Sequence, residues 1–285
     1  MVKVDLITGF LGSGKTTFIK KYARYLKNPV YCFPDQGYNI GILENDFGAV
    51  NVDMMLLREL EGEQCELEMV AGGGDKDCHR RRFKTKLIAM GMCGYDRVLI
   101  EPSGIFDMDE FFDALHEEPL DRWYQIGNVI AVVDAGLDEK MSEEADYILA
   151  SEVADAGCIV LSKTQEASEK SIESTVKHLN RALEAVHCKR KFGEDEIIRK
   201  DWEQFETEDF ERILNSGYIA EDYEKMSLDE KEVFKSLYFM DLEISGAELR
   251  DAAQKIMQDP ACGSVFRIKG FTQEADGSWT ELNAT

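Results

Sequence analysis

The chain has 285 residues, 44% of them apolar and only five of them proline, which is enough to fill a core and excludes a disordered or low-complexity chain. A formal net charge of −23 argues against DNA, RNA or anionic lipid as partners and fits cationic ones, metal ions included, as well as plain solubility. The seven cysteines are scattered without CxxC pairing, no secretory start is present, and no apolar run reaches the roughly 18 residues of a membrane span, so a cytoplasmic protein with reduced thiols is expected.

Val2 to Thr8, "VKVDLIT", predicts a short apolar strand. It runs into Gly9-Phe10-Leu11-Gly12-Ser13-Gly14-Lys15-Thr16, which fits G-x-x-x-x-G-K-[ST], and then into a helix with Phe18, Tyr22 and Leu26 at helical spacing. Such glycines let backbone N–H groups turn inward as a nest for phosphate oxygens. Lys15 supplies a charge to the terminal phosphates and Thr16 a hydroxyl to Mg²⁺, while the following helix aims its positive end at the same anion.

A second strand is expected at residues 39–44, tipped by Glu44-Asn45-Asp46-Phe47-Gly48 with Asp53 close behind. Carboxylates there either orient an attacking water, touch Mg²⁺, or simply solvate a turn. A third strand at 67–70 leads into "AGGGDKDC" and a basic helix from Arg80 to Met92, whose "RRRFK" reads as a solvated face pairing with the acidic surface. The fourth strand, 96–101, ends in Glu101-Pro102-Ser103-Gly104. A carboxylate at that place can hold Mg²⁺ through water, and a glycine three residues on lets the backbone approach a γ-phosphate and move when it leaves. Strands at 128–134 and 157–162 follow, then a helix across 166–187 with Ile172, Val176, Leu179, Leu183 and Val186 on one stripe. Continuous apolar strands alternating with helices predict an α/β class: a mostly parallel sheet buried on both faces and flanked by helices.

The pattern changes near residue 190. An acidic stretch over 192–231 is expected as a linker or insert between a nucleotide-binding domain at 1–191 and a small α+β domain at 232–285. The latter has a strand-like "VFKSLYFMDLEIS", a helix "AELRDAAQKIM", a turn, "SVFRIKGF" and "SWTEL". Either this second domain is very small or the chain stops short of a full module.

The ordered set "ITGFLGSGKTT", "ILENDFGAVNVD", "VLIEPSG", "VIAVVDA" and "IVLSKTQ" resembles the CobW family of P-loop GTPases, related to metallochaperones for nickel insertion into hydrogenase and urease. "VFRIKGF" is similar to a strand of that family's C-terminal domain. The resemblance is close over 2–165 and loose over 233–285. It implies GTP and Mg²⁺, hydrolysis of the γ-phosphate, a nucleotide-dependent homodimer, and a metalloprotein client or a role in metallocofactor assembly. By the same resemblance Gly12, Ser13, Gly14, Lys15, Thr16 and Thr17 are the phosphate loop, Glu44 to Gly48 match Glu-Asn-Glu-Phe-Gly, Glu101 and Gly104 are the second switch, and Lys163 stacks on the base. Lys15, Glu44 and Glu101 are thus the catalytic candidates, and Thr16 and Glu101 the Mg²⁺ ligands.

Two departures from the family matter. Gln165 stands where Asp is usual. A carboxylate accepts from guanine N1–H and the 2-amino group, whereas an amide offers one acceptor and one donor and is complementary to adenine. The loss of one buried hydrogen bond costs roughly 1–3 kcal/mol, so guanine preference is expected to be weakened, or rebuilt from neighbours such as Ser162. The second departure is at Gly-Cys-x-Cys-Cys, the family's cargo-metal thiolates, where this chain has Gly73, Asp75 and Lys76. Asp75, Asp77, Cys78 and His79 remain nearby, either as caps of the basic helix or as a weak Zn²⁺ or Ni²⁺ site centred on Cys78 and His79. Two rivals to a GTPase switch stay open: a nucleotide-regulated client-binding module without turnover, and an ATP-preferring P-loop phosphotransferase.

Overall fold

The computed structural model describes residues 1–28, 37–46, 52–71, 76–102, 108–226, 237, 239, 242–263, 265, 267–274 and 276–284. The chain divides into two compact units, Met1–Leu228 and Asp229–Thr285.

The first unit is built on a seven-stranded sheet. Its strands are β1 (Val2–Thr8), β2 (Ile40–Asp46), β3 (Cys65–Ala71), β4 (Arg97–Glu101), β5 (Tyr124–Asp134), β6 (Cys158–Ser162) and β7 (Ile197–Ile198). They lie in the order β3-β2-β4-β1-β5-β6-β7, and every pairing is parallel. Parallel neighbours need crossovers, which here are largely helical. The helices are α1 (Lys15–Lys27), α2 (Val52–Leu57), α3 (Lys76–Gly91), α4 (Met108–His116), α5 (Leu120–Trp123), α6 (Glu143–Ala154), α7 (Glu169–Ala185) and α8 (Thr207–Leu214). β1 sits between β4 and β5, where the winding direction reverses, so its C-terminal end opens on the crevice in which open α/β sheets bind ligands.

One face of the sheet is closed by α1. Phe18, Ile19, Tyr22 and Leu26 are fully buried against Ile7, Ile40, Ile42, Leu99, Ile130 and Val160. Each such side chain contributes about 1.5–3 kcal/mol of transfer free energy. A buried polar knot ties the layers. The Asp5 carboxylate accepts from the Arg97 guanidinium, from Asn128 Nδ2 at 2.8 Å and from the Tyr22 hydroxyl at 2.9 Å. Burial first, and then the Asp5 charge, push the Tyr22 phenol well above its usual range. Asn128 Oδ1 in turn accepts from the Gly217 N–H at 2.8 Å, fastening a later turn to β5.

The acidic stretch expected as a linker or insert packs on this same sheet. Ile197 and Ile198 form the β7 edge beside Ile159 and Val160. Trp202, Phe205, Phe210 and Ile213 lie in or against the core cluster, with Phe210 stacked on Tyr25 at 4.4 Å between ring centroids. The acids of this segment face outward while its few apolar residues cover the end of α1.

In the second unit, α9 (Gly246–Gln258) packs on the antiparallel pair β8 (Ile268–Gln273) and β9 (Trp279–Ala284). Ser245 and Glu248 form a capping box at the start of α9. A Cβ on Gly246 would stand 2.8 Å from Thr280 Cβ on β9, so the close approach of helix and hairpin favours glycine here. No described helix is long and apolar enough to cross a membrane.

Candidate functional site: the loop after the first strand

The site begins where β1 ends. Gly9 has φ 137°, and a Cβ there would lie 2.1 Å from the Val132 carbonyl oxygen on β5, so only glycine lets the chain leave the sheet at this angle. Gly12 and Gly14 also take positive φ, Gly14 in the left-handed conformation that starts α1 at Lys15. The Ser13 N–H closes a turn on the Phe10 carbonyl at 3.1 Å. Ser13 Oγ is buried and has no hydrogen-bond partner among the described residues. The Lys15 amine curls under the loop, donating to Gly9 O at 2.7 Å and lying 4.0 Å from Glu101 Oε1. Thr17, on the first turn of α1, is exposed.

Strand register assembles the acids. Ile40 and Ile42 face α1, so Glu44, two and four residues on, shares that face; Leu99 does the same for Glu101. Glu44 and Glu101 are register partners on neighbouring parallel strands. Glu44 is buried. The Thr16 hydroxyl oxygen lies 3.0 Å from Asp53 Oδ1 and 3.1 Å from Glu101 Oε2. A hydroxyl has one proton to donate, so one of these carboxylates meets a lone pair instead. A divalent cation would relieve that contact, and an oxygen-donor set of this kind suits Mg²⁺ shared with phosphate oxygens. Gly104, with Phe47 and Gly48, lies outside the described residues.

Glu152 was not singled out in the sequence. It is fully buried on α6, and its Oε2 accepts from the Gly9 N–H at 2.9 Å while its carbonyl accepts from the Thr8 hydroxyl at 2.6 Å. Burial pushes its carboxyl up to about 7, against the opposing pull of Lys15 and of the Gly9 N–H. One helical residue therefore pins both positions at which β1 becomes loop. The only sequence signal is an acid among the apolar positions of "DYILASEVA".

At the expected base corner, Ser162 is buried at the end of β6 and its hydroxyl donates to Val133 O at 3.4 Å. Lys163 takes φ 54° and its amine reaches Asp134 Oδ2 at 2.7 Å. Gln165 is exposed, and its amide donates to Glu166 Oε1 at 3.4 Å. Trp202, from the stretch expected as a linker or insert, packs against this corner. Its Nε1–H donates to Leu161 O at 2.8 Å, and its ring is T-shaped to Phe18 at 5.6 Å.

Cys78 and His79, the pair on which a weak metal site is expected, are chain neighbours on α3. Both lie within the regular helix α3, where adjacent side chains diverge by about 100°. His79 is buried and its Nε2 is hydrogen-bonded to Asn45 Oδ1 at 2.5 Å. Cys78 lines a surface hollow with Met69, Arg81, Arg82 and Lys86, whose cations disfavour a metal ion. No cluster of three or more metal-ligating side chains occurs among the described residues, and residues 72–75 together with the Asp77 side chain lie outside them.

Residues 3–192 match the family described as CobW/HypB/UreG, nucleotide-binding domain. The zinc chaperone YjiA of Escherichia coli is 33% identical over 177 residues, covering 59% of this chain and 51% of that protein. The zinc-regulated GTPase metalloprotein activator 1 of Schizosaccharomyces pombe is 25% identical over 207 residues, covering 70% and 47%. The chain spans about half the length of these relatives. Among solved structures, HypB from Helicobacter pylori in complex with nickel superposes with a TM-score of 0.45 at 15% identity, covering 75% of this chain and 84% of that one.

Proposed function

Because the chain belongs to the CobW/HypB/UreG family, we propose that it is a GTP-binding and GTP-hydrolysing switch that assists metal delivery or metallocofactor assembly. The observation that carries this reading is the convergence of Asp53 and Glu101 on the Thr16 hydroxyl, 3.0 and 3.1 Å away, directly beside a glycine loop with its lysine. That is the chemistry of a phosphate and cation site, and the buried Ser13 hydroxyl, with no partner among the described residues, adds a donor for a phosphate oxygen.

In this reading the loop N–H groups and Lys15 hold the β- and γ-phosphates, with the Lys15 amine moving from Gly9 O to phosphate oxygen. Thr16, Asp53 and Glu101 would hold Mg²⁺, which when bound offsets phosphate charge. Glu44, buried on the same sheet face, orients the water that attacks the γ-phosphorus as the bond to the bridging oxygen breaks. The named relatives, a zinc chaperone and a zinc-regulated metalloprotein activator, support a metalloprotein client and a zinc-class cargo. The nucleotide-dependent homodimer and a cytoplasmic setting belong to the same proposal.

Calorimetric titration with GTP and ATP in Mg²⁺, with phosphate release followed in parallel, tests it. GTP is expected to bind more tightly than ATP and to be hydrolysed, and Gln165→Asp to widen the margin. Lys15→Ala removes a charge-assisted contact of roughly 1.5–3 kcal/mol and is expected to lower nucleotide affinity by roughly ten- to a hundredfold. Clear ATP preference, or binding without phosphate release, selects the phosphotransferase or the client-binding module instead.

A further inference from the structure

We propose that Trp202 is the aromatic platform of the nucleobase subsite, so that this chain holds a purine nucleoside triphosphate by contact with an indole more than by hydrogen bonds to the base edge. The inference rests on the nucleotide-binding reading above and adds to it a residue outside the matched span of 3–192.

Position is the first argument. Measured from the point where a Cβ on Gly14 would stand, the Trp202 ring lies 3.4 Å away and Ser162 Cβ 3.7 Å away. The indole therefore sits between the last glycine of the phosphate loop and the end of β6. A nucleotide whose phosphates lie in the loop must put its base over this corner, since Ser162 to Gln165 follow directly. The ring therefore lies at ordinary contact distance from the last residue before α1.

Fixation is the second. The indole N–H is used on Leu161 O at 2.8 Å, Phe18 meets the ring edge-on, and the Lys21 amine is held by the Trp202 carbonyl and by Glu203 at 2.8 Å. Leu161 and Phe18 set the ring and Lys21 holds its backbone before any ligand arrives, so little rotamer entropy is lost on binding. Trp202 nonetheless stays partly exposed, whereas Phe18 and Tyr22 beneath it are fully buried. Its one polar atom is already satisfied, so the indole has only ring contact to offer a ligand.

The third argument is chemical need. Gln165 is exposed and spends its amide on Glu166, and the Ser162 hydroxyl turns to Val133 O. Neither supplies the paired acceptors that single out guanine. Contact with an aromatic ring is tolerant of base identity because every base has a π-face. A site built this way binds purine nucleotides tightly and separates them poorly.

The test compares Trp202→Leu, which fills the volume without a π-face, with Trp202→Phe, which keeps one. GTP, ATP and inorganic tripolyphosphate are titrated into the full-length chain by calorimetry. Trp202→Leu is expected to weaken GTP and ATP alike by roughly ten- to a hundredfold and to leave tripolyphosphate unchanged, while Trp202→Phe stays within a few-fold of wild type. Equal losses for GTP and tripolyphosphate would mean that the ring merely props the loop, and unchanged GTP affinity would mean that it does not touch the base; either overturns the proposal. Should the leucine variant not fold, Trp123→Phe combined with Trp279→Phe keeps Trp202 as the one indole. Its emission is expected to change on adding GTP or ATP and not tripolyphosphate. Emission unmoved while calorimetry registers GTP binding overturns the proposal alone, whereas wild type that binds no nucleotide brings down the nucleotide reading and this one with it.

Discussion

Glu152 occupies a helix position flanked by Ala150, Val153 and Ala154, all buried, and it owes its place to one N–H of the phosphate loop. Its carboxyl is displaced from an ordinary 4.5 to about 7, chiefly by burial. A folded-state value above the free one means that the folded chain retains a proton the unfolded chain has lost. The stability this group contributes is therefore complete below about 4.5 and is lost as the pH rises through about 7. Glu152→Gln keeps a carbonyl oxygen for the Gly9 N–H and removes the titration. Urea unfolding from pH 5 to 8 is expected to show the wild type losing stability relative to the variant across that window, by roughly 3 kcal/mol in total. Parallel profiles would show that Glu152 does not titrate there. Other site residues were legible in the sequence because a covalent spacing specifies them. The loop from Gly9 to Thr16 is contiguous, and Glu101 ends an apolar strand. Glu152 and Trp202 were not, because each reaches the loop only through tertiary packing from more than 130 residues away in the chain.

At the scale of elements, β1, β4 and β6 coincide with their apolar runs to within a residue, since strands buried on both faces are continuous in hydrophobicity. β5 begins earlier than its run, at Tyr124, because its first residues pair with β1 through Val2 to Val4 while still carrying polar side chains. The helix predicted from Arg80 starts at Lys76, which is what places Cys78 and His79 on regular helix and separates them. The segment 192–226 was the hardest to read: its strand has two residues, and its apolar side chains are sparse among acids. A solvated linker would tolerate truncation of Ile213, whereas the structure buries that side chain completely. Ile213→Ala is expected to cost about 2–5 kcal/mol in urea unfolding; a cost near zero would show that this side chain does not help to hold the segment on the sheet. The same segment carries Trp202, so loosening α8 should also be felt at the nucleotide.

At the scale of the molecule, a net charge of −23 coexists with a local cationic loop because Lys15 is buried beneath it and the surplus acids lie on outer surfaces such as those of 192–226. The first unit's sheet also has two ends, and they are unequal. β7 closes one with two residues, too short to serve as a template, while β3 closes the other with seven. The β3 sequence Cys-Glu-Leu-Glu-Met-Val-Ala would invite strand addition from another chain were it not for Glu66 and Glu68, which are held by the Tyr95 hydroxyl and by the Lys86 amine. The edge is expected to be guarded against aggregation by these two acids. Glu66→Val with Glu68→Val is expected to leave the fold in place, since both new side chains favour strands, yet to produce light scattering that grows with protein concentration where the parent stays flat. Scattering that stays flat in the double variant would show that β3 is not an open edge. On this expectation the shelf life of the protein in concentrated solution depends on the margin of the sheet farthest from β7, on two carboxylates outside the loop that follows β1.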